Sequence, residues 1–135
     1  MFTPVEQIDI LYQCIRNSTI PSIVTGGVYK YQKPVNSESE DIVINSITTD
    51  GEMIQRGVNN INIHVPPMIV TISGLQQKVV NNARLTYLIE IITPILKEGF
   101  GTKYNFWVDQ MSVITEDESW LLMNYRIKFK LHNTN

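Results

Sequence analysis

The chain has 135 residues, enough for one domain with its own core. An apolar share of 43% argues against intrinsic disorder, and a formal net charge of -2 argues against a protein that coats nucleic acid. Charged residues make up only 18%, below the roughly 25% of an average soluble domain. A single cysteine, Cys14, excludes an intrachain disulfide framework and a cysteine-based zinc cluster.

The first ten residues carry two acidic side chains and no basic cluster, which argues against a secretory signal. The longest stretch without Asp, Glu, Lys or Arg, residues 57–77, is interrupted by prolines and asparagines. It therefore lacks the roughly 18 consecutive apolar residues of a membrane-spanning helix. We expect no membrane partner, and a location in cytoplasm or in a particle assembled there.

The chain begins with a helix signature. Thr3 can cap the helix, Pro4 suits its first turn, and Glu6 completes a capping box. Apolar residues then recur at helical spacing before Asn17, Ser18 and Pro21 end the pattern. The residues that form this apolar face are Ile8, Leu11, Tyr12 and Ile15.

Three strands are predicted next. Gly26-Gly27 precedes the strand Val28–Lys33, and Asp41–Thr49 carries Ile and Val on both faces, as a central strand does. Asp50-Gly51 predicts a turn. The third strand alternates strictly, which predicts three residues facing the core (Ile61, Ile63, Val65) and three facing outward (Asn60, Asn62, His64).

The segment after Pro66-Pro67 is extended and β-prone, with no helical stripe. Its apolar residues need a covering surface, and two interpretations are open. Residues 66–78 form an arm or flap over a neighbour, or they add a strand to the domain's own sheet. The candidate interface residues of this segment are Met68, Ile69, Val70 and Ile72.

A second helix and a long hairpin complete the chain. The helix is predicted over Asn81–Glu98, with Pro94 kinking it or setting its last turn apart, and Gly99 capping its end. The hairpin strands are Lys103–Thr115 and Trp120–Leu131. The order α-β-β-β-α-β-β predicts a single α+β domain over residues 1–135, with a mainly antiparallel sheet and two helices on one face.

No residue pattern indicates a reaction. Cys14 lies beside the apolar face of the first helix and is predicted to be a buried structural thiol. His64 and His132 are predicted to face solvent or an interface. Gly99-Phe100-Gly101 follows a helix, whereas a phosphate-binding loop precedes one. We expect a protein that is not an enzyme, with no catalytic, cofactor-binding or metal-binding residues and no cofactor.

Two groups of charges stand out in the hairpin. The basic stripe is Arg126, Lys128 and Lys130, and the acidic loop is Glu116, Asp117 and Glu118. Either both are solvated surface, or the acidic loop of one subunit meets the basic stripe of the next. A phosphate-backbone track ranks lower, because the stripe has few cations and no aromatic residues on its face. Another acidic cluster, Glu38, Glu40 and Asp41, is expected at the surface under the first of these interpretations.

The chain resembles the tail-completion or tail-terminator (neck) proteins of long-tailed bacteriophages and prophages. The likeness covers residues 26–129 and consists of strand and turn patterns. The segments that carry it are Gly27-Val28-Tyr29, Lys33-Pro34, residues 39–45, residues 57–66, and Asn82-Ala83-Arg84-Leu85.

This resemblance implies a structural virion protein that forms a homo-oligomeric ring, for example a hexamer. Such a ring stops tube polymerisation at the head-proximal end of the tail. The implied partners are tail-tube and head-connector proteins, and the implied location is the virion, assembled in the bacterial host cytoplasm. Specific nucleic-acid binding is not expected. The family has no fixed functional motif, so the interface candidates rest on charge and alternation alone.

Two other functions compete with a ring-forming protein. One is an adaptor module that binds a protein or peptide by strand addition at an exposed sheet edge. The other is a small-molecule domain or enzyme with a pocket under the second helix. A defined one-to-one partner would indicate the adaptor, and a deep pocket lined by converging polar groups would indicate the small-molecule domain.

Overall fold

The computed structural model describes residues 3–49 and 54–132, so the predicted Asp50-Gly51 turn lies outside the described residues. Three helices and eight strands occur in these ranges. In chain order they are α1 (Pro4–Arg16), α2 (Ile20–Ile23), β1 (Val28–Lys30), β2 (Asp41–Thr49), β3 (Ile54–Val65), β4 (Met68–Ile72), β5 (Leu75–Val79), α3 (Asn82–Leu96), β6 (Glu98–Phe100), β7 (Tyr104–Thr115) and β8 (Leu121–His132). A short 3-10 turn, Asp117–Ser119, connects β7 to β8.

The molecule is a single α+β domain, as predicted. Six strands form one sheet in the order β1-β2-β3-β8-β7-β6, and only the β1–β2 pair is parallel. Strands β4 and β5 form a separate antiparallel pair. The main sheet therefore has short edge strands, and its long central strands set the shape of the core.

The core lies between one face of the sheet and helices α1 and α3. Thr3 caps α1 by accepting a hydrogen bond from the Glu6 N–H at 3.2 Å, and the predicted apolar face of the helix is buried. Alternate residues of β3 and β8 point toward the helices. The fully buried members from these elements include Leu11, Ile15, Ile61, Ile63, Leu88, Ile92, Tyr125 and Ile127.

Two predicted element ends are wrong. Strand β1 ends at Lys30 rather than Lys33, because Tyr31 adopts a left-handed backbone with φ of 72°. Gly99 does not cap the second helix but lies in β6, paired with Phe106. A Cβ on Gly99 would lie 2.2 Å from the Phe106 ring, so this close pairing requires glycine. Pro94 lies inside α3, which continues to Leu96.

Part of the acidic cluster expected at the surface is buried. Glu40 and Asp41 are only 4% and 1% exposed, and they hold the loop before β1 against the start of β2. Asp41 accepts a hydrogen bond from the Gly27 N–H at 3.1 Å. The backbone N–H of Thr25 donates to the Glu40 carboxylate at 3.1 Å, and the Glu40 N–H donates to the Thr25 hydroxyl at 2.9 Å.

Arg84, at the start of α3, completes this arrangement. Its Nε and a terminal nitrogen donate to the two carboxylate oxygens of Glu40 at 2.6 and 2.9 Å. The terminal nitrogen also donates to the Ile23 carbonyl oxygen at 2.9 Å. A two-pronged pair of this kind fixes the guanidinium in one plane, so α3 is joined to the end of α2 and to the residue that precedes β2.

Replacing Arg84 by methionine should destabilise the fold, because the buried Glu40 carboxylate loses its cation. The Arg84 side chain is partly exposed, so we expect a loss of about 2 to 3 kcal/mol in the free energy of unfolding, near the lower end for breaking a buried pair. Urea denaturation at neutral pH would measure it. Arg84→Lys is the matched control, since it keeps the charge and should lose less. Equal stability of Arg84→Met and the wild type would contradict this role.

Candidate interaction surfaces

Residues 68–79 form a hairpin of their own. The turn residues Ser73 and Gly74 have φ of 53° and 79°, the positive values that a tight two-residue hairpin turn requires. Of the two interpretations of this segment, a strand added to the domain's own sheet is therefore wrong. The other interpretation, that residues 66–78 lie over a neighbouring subunit, remains a prediction. The consecutive polar residues of β5 do not alternate with apolar ones. The sequence therefore did not indicate that β5 is a strand that pairs with β4.

One face of this hairpin is almost entirely apolar. The cross-strand pairs Met68–Val79, Val70–Gln77 and Ile72–Leu75 share that face. We call its five apolar residues the apolar hairpin face: Met68, Val70, Ile72, Leu75 and Val79. Much of it is in contact with solvent, since Ile72 is 47% and Leu75 67% exposed. Ile69 lies on the opposite face.

The hairpin is anchored at its base to the 3-10 turn. The Ser119 hydroxyl donates to the Lys78 carbonyl oxygen at 3.2 Å, and the Lys78 ammonium lies 3.2 Å from a Glu118 carboxylate oxygen. Beside this contact is a cleft of about 220 Å³ whose lining includes Ile69 and Trp120. The structure thus brings the acidic loop and the apolar hairpin face to one end of the molecule. These two groups lie some forty residues apart in the chain, so the sequence did not indicate that they are neighbours in the fold.

His64 is less exposed than predicted. It lies on the outer side of β3, but its side chain is only 17% exposed. The chain after β1 crosses nearby and places the Lys33 ammonium 4.6 Å from the centre of the Trp120 ring. Burial lowers the pKa of His64, and Lys33 lowers it further, whereas Glu116 and Asp41 oppose the shift.

A shallow, open pocket of about 290 Å³ surrounds His64. Glu116, at 3.8 Å from the His64 ring nitrogen, shares this lining with Lys33, Asp117 and Trp120. Among the described residues that line the pocket there is no serine, threonine or cysteine, so none of them offers the imidazole a hydroxyl or thiol to activate. The pocket instead brings the Lys33 ammonium together with carboxylates of the acidic loop at one end of the sheet.

The outward asparagines of β3 form a connected row with neighbouring strands. The Asn124 side chain donates to Asn60 at 3.1 Å and to Asn62 at 2.7 Å, and Asn60 donates to Asn45 at 3.4 Å. This amide row crosses β2, β3 and β8 on the outer face of the sheet. Because the amides bind one another, they present a flat polar surface of low charge.

The basic stripe lies on the same outer face, farther along β8. Lys128 is 3.5 Å from Asp109, so part of its charge is balanced within the chain. The pairing of β7 with β8 sets Trp107 directly beside Lys128. The expectation of no aromatic residue on this face is therefore wrong, because the neighbouring strand supplies one. A pocket of about 320 Å³ is lined by Arg56, Trp107, Lys128 and Lys130 among others.

Strand β7 has an open edge over much of its length. Strand β6 pairs only with Asn105, Phe106 and Trp107. Within residues 3–49 and 54–132, no strand pairs with the far side of β7 residues 109–115, whose other side pairs with β8. We call residues 109–115 the open edge of β7.

Other features of the described residues add no reactive centre. Cys14 is half-buried, with its sulfur 3.9 Å from the Ile95 carbonyl oxygen, and burial raises the pKa of the thiol. In the described ranges, no three His, Cys, Asp or Glu side chains come together to hold a metal ion. Across the same ranges, no helix has both the length and the apolar character needed to span a membrane.

No protein-family model matches the chain, and a search of the curated proteins finds no match either.

The pKa shift of His64 predicts a specific pH dependence of stability. Its pKa in the folded protein lies below the ordinary value of 6.5, so the unfolded chain takes up the proton first as pH falls. The free energy of unfolding should therefore fall more steeply between pH 7.5 and 5 in the wild type than in His64→Gln. Urea denaturation across this range would measure both slopes, and equal slopes would contradict the assignment.

Proposed function

We propose that the chain is a non-enzymatic assembly protein that forms a homo-oligomeric ring. In line with the resemblance of residues 26–129, the ring is a tail terminator at the head–tail junction of a long-tailed phage. Its partners are tail-tube and head-connector proteins, and its location is the virion, assembled in the host cytoplasm. No phosphate-backbone role is proposed, since the chain carries a net charge of -2 and Asp109 offsets Lys128.

The observation that carries this proposal is the exposure of the apolar hairpin face. An isolated two-stranded hairpin is marginally stable in water, and contiguous apolar surface is typical of protein contacts. The hairpin contacts the rest of the described chain mainly through the 3-10 turn. Its apolar residues therefore lack a core of their own, and a second protein surface would supply one.

The arrangement of charges favours contacts between unlike surfaces. The acidic loop lies before the first residue of β8, and the basic stripe occupies residues 126–130 of the same strand. At about 3.3 Å per residue, the two groups are roughly 20 to 35 Å apart along the strand. A contact between two different surfaces of identical subunits is heterologous, and it closes into a ring when the rotation allows.

The open edge of β7 supports a second candidate function. An exposed edge can accept an extended peptide from another protein, as adaptor modules do. This candidate predicts a monomer that binds a defined partner in a one-to-one complex. The ring-forming protein predicts self-association, so the oligomeric state of the purified chain separates the two.

Analytical ultracentrifugation over a concentration series should give one discrete oligomer, and negative-stain electron microscopy should show closed rings. Association should weaken with added salt, because the charges that meet are at the surface. Lys128→Glu should weaken it several-fold, and Lys97→Glu, an exposed lysine at the end of α3, is the matched control. A chain that stays monomeric at millimolar concentration would contradict the proposal.

A further inference from the structure

We infer that neighbouring subunits are joined by strand addition, in which β4 of one copy pairs with the open edge of β7 of the next. This inference rests on the self-association proposed above and specifies how it occurs. Two features of the described chain carry it: an unprotected strand edge on the main sheet and an unprotected strand edge on the hairpin.

From Gln110 to Thr115, the open edge of β7 lacks the features that usually protect a sheet edge. These residues include no charge and no proline, whereas the charged Asp109 and the register shift between Val108 and Gln110 lie at the start of the edge. Met111 and Val113 are 41% and 53% exposed, although they point to the core side of the sheet. A β-prone edge of this kind is a template for pairing with another strand.

One hydrogen bond shows which backbone N–H groups of β7 point to its open edge. The Glu116 N–H donates to the Trp120 carbonyl oxygen at 2.8 Å, across to the β8 side. Because successive residues of an antiparallel strand direct their polar groups to alternate sides, the N–H groups of Val113 and Thr115 point to the open edge. They are available to an added strand without loss of any β7–β8 hydrogen bond.

The hairpin offers β4 as the complementary edge. The outer edge of β5 is engaged at Lys78, whose carbonyl oxygen accepts the Ser119 hydroxyl. In the described residues, β4 pairs with β5 alone, and it has no charged residue from Met68 to Ile72. Ile69 is the partner of Lys78, and in an antiparallel pair the two partners direct their backbone polar groups either toward each other or away from each other. Because the Lys78 carbonyl points away from β4, the N–H groups of Ile69 and Thr71 point away from β5.

The side chains of the two edges agree in register. An added strand continues the pleat, so its alternate residues join one face of the sheet. An antiparallel pairing would place Ile69 and Thr71 on the same side as Met111 and Val113, because the outward N–H groups of the two strands would have to face one another. In the parallel pairing, Val70 lies opposite Met111 or Val113, so the apolar hairpin face joins exposed apolar residues of the next copy. Ile69 and Thr71 then lie on the outer side.

Charge identifies a second copy of this chain as the occupant. The Lys78–Glu118 contact holds the acidic loop beside the hairpin, so the loop accompanies the hairpin to its partner. Of the basic stripe, Arg126 lies opposite Gln110, near the start of the open edge. In the parallel pairing the Met68 end of β4, and the acidic loop held beside it, lie toward this start of the edge, so one docking event brings acidic residues of one copy toward Arg126 of the other.

Paired proline variants test this contact. Val113→Pro removes an outward N–H from the open edge, and Thr71→Pro removes one from the outer edge of β4. Each variant alone should associate at least about tenfold more weakly than the wild type in sedimentation experiments. Val113→Ile and Thr71→Val keep the N–H and are the matched controls, which should associate as the wild type does.

Mixing the two proline variants is the decisive measurement. Val113→Pro keeps an intact hairpin and Thr71→Pro keeps an intact edge, so an equimolar mixture should form a dimer and nothing larger. Proline variants that assemble as the wild type does would overturn strand addition and leave the ring proposal standing. A wild type that stays monomeric, or that binds only an unrelated extended peptide at this edge, would overturn both.

Hydrogen exchange of the wild type gives a readout that does not depend on the folding of any variant. Amides of residues 68–72 and 109–115 should exchange more slowly in the assembled protein than in the diluted monomer. Unchanged exchange in both segments on assembly would overturn strand addition, even if the proline variants fail to fold.

Discussion

Strand β8 is the constraint on which the rest of this structure depends. It pairs with β3 on one side and β7 on the other along most of its twelve residues. Its alternate residues from Leu121 to Phe129 are buried against the helices, and the residues between them form the outer face. A slip of one residue would exchange the two sets, so burial of one face fixes the position of every charge on the other.

The other surfaces take their places from that strand. The acidic loop lies at its beginning, and the 3-10 turn there holds the base of the hairpin through Ser119 and Glu118. The basic stripe occupies its outer face, and Asn124 joins the amide row from the same side. The alternation of buried and exposed residues in β8 thus positions both the core residues and the charged and amide residues of the outer face.

The same pattern explains how much could be predicted from the sequence. Strand β8, the apolar faces of α1 and α3, and the α+β order are encoded locally, so periodicity is enough to predict them. Strand β6 has three residues and depends on the close fit of Gly99 against Phe106. The Glu40–Arg84 pair joins residues 44 apart, and Trp107 meets Lys128 only through strand register. Contacts of this kind depend on tertiary structure, which a one-dimensional pattern does not specify.

Strand addition also needs a reason for unlike edges to meet, because two exposed edges of the same kind can pair with each other. The hairpin end of every copy carries the acidic loop, so two hairpin ends that meet bring like charges together. The open edge of β7 runs from Asp109, opposite the start of the basic stripe, to Thr115, which the acidic loop follows directly. Charge therefore disfavours a contact between two hairpin ends and allows the hairpin to approach the Arg126 end of the open edge. Charge that contributes little to stability at an exposed site thereby acts against one symmetric contact and in favour of the heterologous one, and a heterologous contact is what a ring requires.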